Sequence, residues 1–166
     1  MTVSFNGLYC VHLELTSRCN KDCWMCGRRK IDRDHPEIAM NYADMDFALV
    51  KKIAEQLPQG IVVQFHNNGE PLFYPRFGEA IGLFKDQIRC VNTNAKLIIE
   101  KADEIIDNLD TITISVIEND PDAEEQYELV RKFLEIKGKR NPRMIYRCLG
   151  NVNKERWEKL DGTIAT

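Results

Sequence analysis

The sequence predicts an α/β fold, a partial (β/α) barrel of about five to six parallel βα units. Two observations support this. Segments with strand periodicity and segments with helical periodicity alternate five times between Cys10 and Leu160, the order that right-handed crossovers turn into a parallel sheet. The strands are also divided into faces. Thr111-Ile112-Thr113-Ile114-Ser115-Val116 alternates polar with apolar residues, whereas a parallel sheet covered on both sides reads as nearly continuous apolar runs. If the apolar faces pack on the helices, the polar faces look into the middle of a curved sheet, a lumen suited to a polar ligand. A two-layer sheet with helices on one side and water on the other satisfies the same pattern.

The elements follow in order. Cys10 to Thr16 sets His12, Glu14 and Thr16 against Val11, Leu13 and Leu15, a strand with one polar face. A loop over 17–36 follows, with a basic tail Arg28-Arg29-Lys30 and a polar, irregular run to Pro36. Phe47, Val50, Ile53, Ala54 and Leu57 recur at helical spacing over about Asp44 to Leu57, and Pro58-Gln59-Gly60 stops the helix. Ile61 to His66 is the second strand, with Gln64 and His66 opposite Val63 and Phe65; it runs into Asn67-Asn68-Gly69-Glu70-Pro71. A helix near Phe77 to Lys85 leads to a third strand, Ile88 to Thr93, ending in Asn94. A helix over about Leu97 to Leu109, a strand Thr111 to Ile117, a helix Ala123 to Ile136 and a strand Arg143 to Leu149 complete five units. A short helix around Lys154 to Leu160 precedes Gly162-Thr163-Ile164-Ala165-Thr166, read as the start of a sixth strand.

The chain has 166 residues, the length of one domain, 1–166, with a sizeable core. A net charge of -3 gives no electrostatic case for nucleic acid or a membrane surface. With no apolar run of about eighteen residues and no signal-peptide pattern, a cytoplasmic protein is expected. Of the six cysteines, Cys10, Cys90 and Cys148 fall singly within strands and read as small buried hydrophobes. The other three are clustered, which in a chain of this kind favours a metal site over a disulfide framework.

Cys19, Cys23 and Cys26 are spaced C-x3-C-x2-C within Leu13-Glu-Leu-Thr-Ser-Arg-Cys-Asn-Lys-Asp-Cys-Trp-Met-Cys26. A structural zinc site takes four ligands and is closed, whereas an iron-sulfur cube held by three thiolates keeps one iron open. A zinc knuckle completed by Cys10, His12 or His35 is the competing reading of the same thiols.

This spacing, with aromatic Trp24 directly after the second cysteine, resembles the radical S-adenosylmethionine (SAM) superfamily. Asn68-Gly69-Glu70-Pro71 is similar to that family's Gly-Gly-Glu-Pro turn, with Asn68 in the first glycine position. Thr93-Asn94-Ala95 resembles its Thr-Asn-Gly, and Ser115 its strand-four serine, with Ile117 where Asp is common. The resemblance implies a partial barrel with a wet lumen and a [4Fe-4S] cluster on the three cysteines. It also implies reductive cleavage of SAM to a 5′-deoxyadenosyl radical that abstracts hydrogen from a small-molecule or peptide substrate, with a reducing electron donor protein. Trp24 would cover the cluster or lie near the adenine. Asn68, Gly69, Glu70 and Pro71 would form the turn at the SAM ammonium, with Asn94 and Ser115 nearby. Arg147, or Arg131 or Arg140, would pair the SAM carboxylate. His66, at the carboxyl end of its strand, would touch substrate or serve as a hydrogen-bonded lumen histidine. The cysteine motif looks closest to members carrying a cysteine-rich SPASM-type extension, which is absent here. The family's barrel usually has six units, so C-terminal units are expected to be missing and an open sheet edge to favour self-association. A non-catalytic iron-sulfur module, and an inactive half-barrel that binds a partner, to which the departures at Asn68 and Ile117 point, are the alternative readings.

Overall fold

The computed structural model describes residues 7–165. Its strands are β1 (Cys10–His12), β2 (Val62–Gln64), β3 (Ile88–Thr93), β4 (Thr111–Val116), β5 (Arg143–Cys148) and β6 (Thr163–Ala165). They form one sheet in sequential order, every neighbouring pair parallel. This is the α/β partial barrel the sequence predicts, with the sixth strand formed. Thr166, the last residue of that expected strand, lies outside the described residues.

The helices are α1 (Gly27–Asp34), α2 (Phe47–Ala54), α3 (Phe77–Gly82), α4 (Ala102–Ile105), α5 (Ala123–Lys137) and α6 (Lys154–Trp157). Leu13 just after β1, with Val63, Val91, Ile112, Ile114, Val116, Met144 and Tyr146 from the strands, shares one buried cluster with Val50, Phe77, Ile81, Ile105, Val130, Phe133 and Trp157 from the helices. The opposite face presents His12, Gln64, Asn92, Thr113, Ser115 and Arg147, the polar lumen expected from the alternation.

Three differences have identifiable causes. β1 ends at His12 because the chain changes partner: Leu15 O accepts from Met45 N (2.8 Å), and Thr16 bridges Asp44. The stretch after the cysteines, expected to be irregular, contains α1, a helix with no buried residue and therefore no apolar stripe to read. The helix expected over Leu97 to Leu109 is reduced to four residues of α4. It is bounded by positive-φ residues, Ala95 (66°) before it and Asp107 (62°) after it.

Candidate functional site

At the carboxyl ends of β1 to β4 a cavity of about 210 Å³ collects Cys19, Cys23 and Cys26 with Asn68, Gly69, Glu70, Asn94 and Ser115. Strand ends are where parallel α/β sheets leave backbone groups free and loops to shape a pocket. Each loop is tied to its neighbour. Glu14, at the end of β1, accepts from Asn68 N (2.7 Å) and Gly69 N (3.0 Å), and Glu70 N donates to Arg18 O (2.9 Å). The approach is so close that a Cβ on Gly69 would lie 1.8 Å from Thr16 O. Glycine is needed here so that two backbones can cross.

Glu70 is buried and fully engaged. Its Oε1 accepts from Thr93 Oγ1 (2.6 Å) and Leu72 N (3.1 Å), and its Oε2 from Asn94 N (2.8 Å). Burial pushes its carboxyl up to about 7, against the pull of those three donors. Asn94 extends the network into the cysteine loop: its Nδ2 donates to Asn20 Oδ1 (2.9 Å) and lies 3.8 Å from Cys19 Sγ. Ser115 Oγ donates to Asn92 Oδ1 (2.9 Å).

The cysteine loop is secured by residues that the sequence reading did not single out. The Lys21 side chain is almost wholly buried, with Nζ 3.2 Å from Asp120 Oδ1 in the loop after β4. Arg28 donates to Ser17 O, Arg29 donates to Cys19 O (3.2 Å), and both guanidinium groups lie over the Tyr42 ring. The basic tail therefore folds back on its own loop. A charged residue inside a C-x3-C spacing, facing a pair of aspartates about a hundred residues on, was the available signal for Lys21, but only the fold shows that they meet.

The other expected positions are distributed unevenly. Pro71 opens a 3-10 turn beneath the site and is buried. Trp24 is 61% exposed and does not line the cavity; its neighbour Met25 does. Arg131 pairs with Glu128 and Glu135 on α5, and Arg140 approaches Asp107, so neither reaches the cavity. Arg147 lines an adjoining cavity with His66 and Asn92, the two residues common to both. Burial, then His12, then Arg147 hold the His66 imidazole below its usual pKa.

Three thiols at one cavity are a donor set that a cube with one open iron would use. Among the described residues no group of three or more His, Cys, Asp and Glu is placed to hold a metal ion. Burial raises the Cys19 thiol and pushes Cys23 up to about 11. Thiols raised in this way stay protonated near neutral pH, and a metal bound there would displace the proton.

Residues 13–165 match the Radical SAM superfamily. The chain belongs to that superfamily. It is 30% identical over 112 residues to the tungsten-containing aldehyde ferredoxin oxidoreductase cofactor-modifying protein of Pyrococcus furiosus, an alignment covering 64% of this chain and 29% of that protein. It is 27% identical over 124 residues to the FeMo cofactor biosynthesis protein NifB of Methanocaldococcus jannaschii, covering 68% of this chain and 41% of that one. The chain thus spans less than half the length of either relative. In fold it is similar to BtrN in complex with AdoMet and 2-DOIA, with a TM-score of 0.51, 16% identity, and coverage of 95% of this chain and 56% of that one. Superfamily membership implies a [4Fe-4S] cluster and SAM, and no helix among the described residues is long and apolar enough to cross a membrane.

Proposed function

We propose that this chain holds a [4Fe-4S] cluster on Cys19, Cys23 and Cys26, binds SAM beside it, and initiates radical chemistry on a small-molecule or peptide substrate. The reading includes a reducing donor protein and a cytoplasmic setting, where thiols stay reduced. The observation that supports it best is the convergence of three thiols, the Asn68–Glu70 turn, Asn94 and Ser115 on one cavity.

When bound, the two groups supply reductive cleavage of a sulfur–carbon bond and thereby hydrogen-atom abstraction. The protein's part is to bind, orient and exclude water. Arg28 and Arg29 hold the loop carbonyls, Lys21 anchors the loop to Asp120, and Asn94 directs an amide N–H toward the Cys19 sulfur. Such outer contacts orient ligands and tune their basicity. Glu70 fixes the relative positions of the turn after β2 and the end of β3 through its three hydrogen bonds.

Anaerobic iron-sulfur reconstitution followed by electron paramagnetic resonance tests this. A reduced [4Fe-4S] signal that changes on adding SAM and is lost in Cys23→Ala is the expected result. A signal indifferent to SAM, or tightly bound zinc with no cluster, refutes it.

A further inference from the structure

The lumen beside the cysteine cavity is lined without an acid. An open recess of about 240 Å³ is bordered by Gln64, His66, Asn92, Thr113, Ile145 and Arg147 with Ala165. Every polar side chain among these can donate a hydrogen bond, and none is a carboxylate. Glu14, the acid at the end of β1, is already occupied by Asn68 N and Gly69 N.

Arg147 stands beside Ser115 on one neighbouring strand and Ala165 on the other. Arg147 is exposed, and among the described residues no carboxylate lies within ion-pair distance of its guanidinium, as is also so for Arg28, Arg33 and Arg143. His66 Nδ1 is buried without a hydrogen-bond partner, and the His66 ring meets His12 edge to face at 5.2 Å. Asn92 gives its Oδ1 to Ser115, which leaves its Nδ2 donor free of that contact. A buried polar atom without a partner is costly and calls for an occupant.

We propose that this lumen is the substrate subsite and that it takes a small polar molecule through an oxyanion group, a carboxylate or a phosphate, paired by Arg147 and flanked by His66 and Asn92. The assignment rests on the radical SAM reading for the word substrate, but the anion site stands on its own lining. A guanidinium matches either oxyanion with two parallel hydrogen bonds. Because His66 borders both cavities, an anion held at Arg147 places the rest of its molecule toward the thiols. The lumen selects by charge, and Arg147 is a binding residue distinct from the groups around the cysteines.

The test uses the three histidines as reporters. Ring carbon-bound proton resonances of the reconstituted chain are followed while inorganic phosphate, or separately succinate, is added at constant ionic strength against sodium chloride. The expected result is a saturable shift of His66 and His12, with exposed His35, beside Glu37, unmoved. The anion that saturates at the lower concentration identifies phosphate or carboxylate as the preferred source. Arg147→Gln should raise the half-saturating concentration about tenfold or more, and Arg147→Lys less, since a point charge replaces a planar fork. Both variants should keep the wild-type melting temperature. Absence of a saturable shift, parallel linear drift of all three histidines, or an unchanged titration in Arg147→Gln overturns the proposal. Loss of the SAM response of the cluster in Arg147→Gln also overturns it, since Arg147 would then serve SAM while the radical reading stood. If the wild-type cluster ignores SAM, the radical reading fails, and the anion titration still decides the site.

Discussion

Gly69→Ala should be the most damaging single-methyl change in this molecule. The added Cβ would lie 1.8 Å from Thr16 O, 2.8 Å from Thr16 C and 2.9 Å from Arg18 O, all main-chain atoms with no rotamer to escape into. Reaching the 3.4 Å of ordinary contact requires the turn and the cysteine loop to separate by about 1.6 Å. That separation breaks Glu70 N to Arg18 O and strains both N–H contacts to Glu14. One neutral and two charge-assisted hydrogen bonds, partly lost, amount to about 3 kcal/mol. For a chain of this size the melting temperature should fall by about 6–12 °C. Iron loading after reconstitution should fall with it, since the displaced backbone carries Cys19. Gly82→Ala is the control, because nothing lies within 4 Å of a Cβ there. If Gly69→Ala melts with Gly82→Ala and loads iron normally, the crossing of two backbones is not what requires glycine.

Glu70, raised from 4.5 to about 7 by burial, keeps its proton in the folded chain at pH values where the unfolded chain has lost it. Stability should therefore be full below pH 4.5, fall by about 3 kcal/mol as pH rises to about 7, and then level off. Urea unfolding at pH 5 and 7.5 measures this, and an undiminished pH dependence in Glu70→Gln refutes it. His66 is depressed below 6.5, so its contribution is present above pH 6.5 and declines as pH falls through its folded value. Its resonance should titrate below the usual imidazole range. Asp120→Asn removes the nearer of the two carboxylates at buried Lys21, leaving Asp122 at 3.8 Å, and should cost about 3 kcal/mol in urea unfolding. Lys96→Met removes a partly exposed partner of Asp122 and should cost about 1 kcal/mol or less. Equal losses for the two would count against a burial-driven role for Lys21.

The sheet was legible because its signal is local. Ile88–Thr93 and Thr111–Val116 alternate by residue, and one slip would move every apolar side chain to the wrong face. Helix α5 was legible as the helical stretch before Gly138 and Pro142, although its buried stripe of Gln126, Val130, Phe133 and Lys137 is half polar. Helix α1 was not, because its stability comes from ion pairs such as Arg29–Asp32 and from arginines reaching back to loop carbonyls. Such contacts leave no periodicity. The lumen face was legible as polar, but its sorting into a cavity of thiols and a cavity of donors depends on strand stagger, which spacing does not encode.

The Asn68-Gly69-Glu70-Pro71 turn shows what a motif reading leaves open. Its residues were read as a ligand cradle, yet Gly69 makes room for the Thr16 backbone, and Glu70 binds Leu72, Thr93 and Asn94. The same four residues join the ends of β1, β2 and β3 before any ligand arrives. This also explains where the turn tolerates departure from glycine. Asn68 is exposed and uses only its N–H, toward Glu14, so a side chain there costs nothing in packing. Asn68→Gly should accordingly leave melting and iron loading within experimental error of wild type. A rise in either would mean that the asparagine side chain obstructs the cysteine loop, and that the two glycine positions share one steric demand.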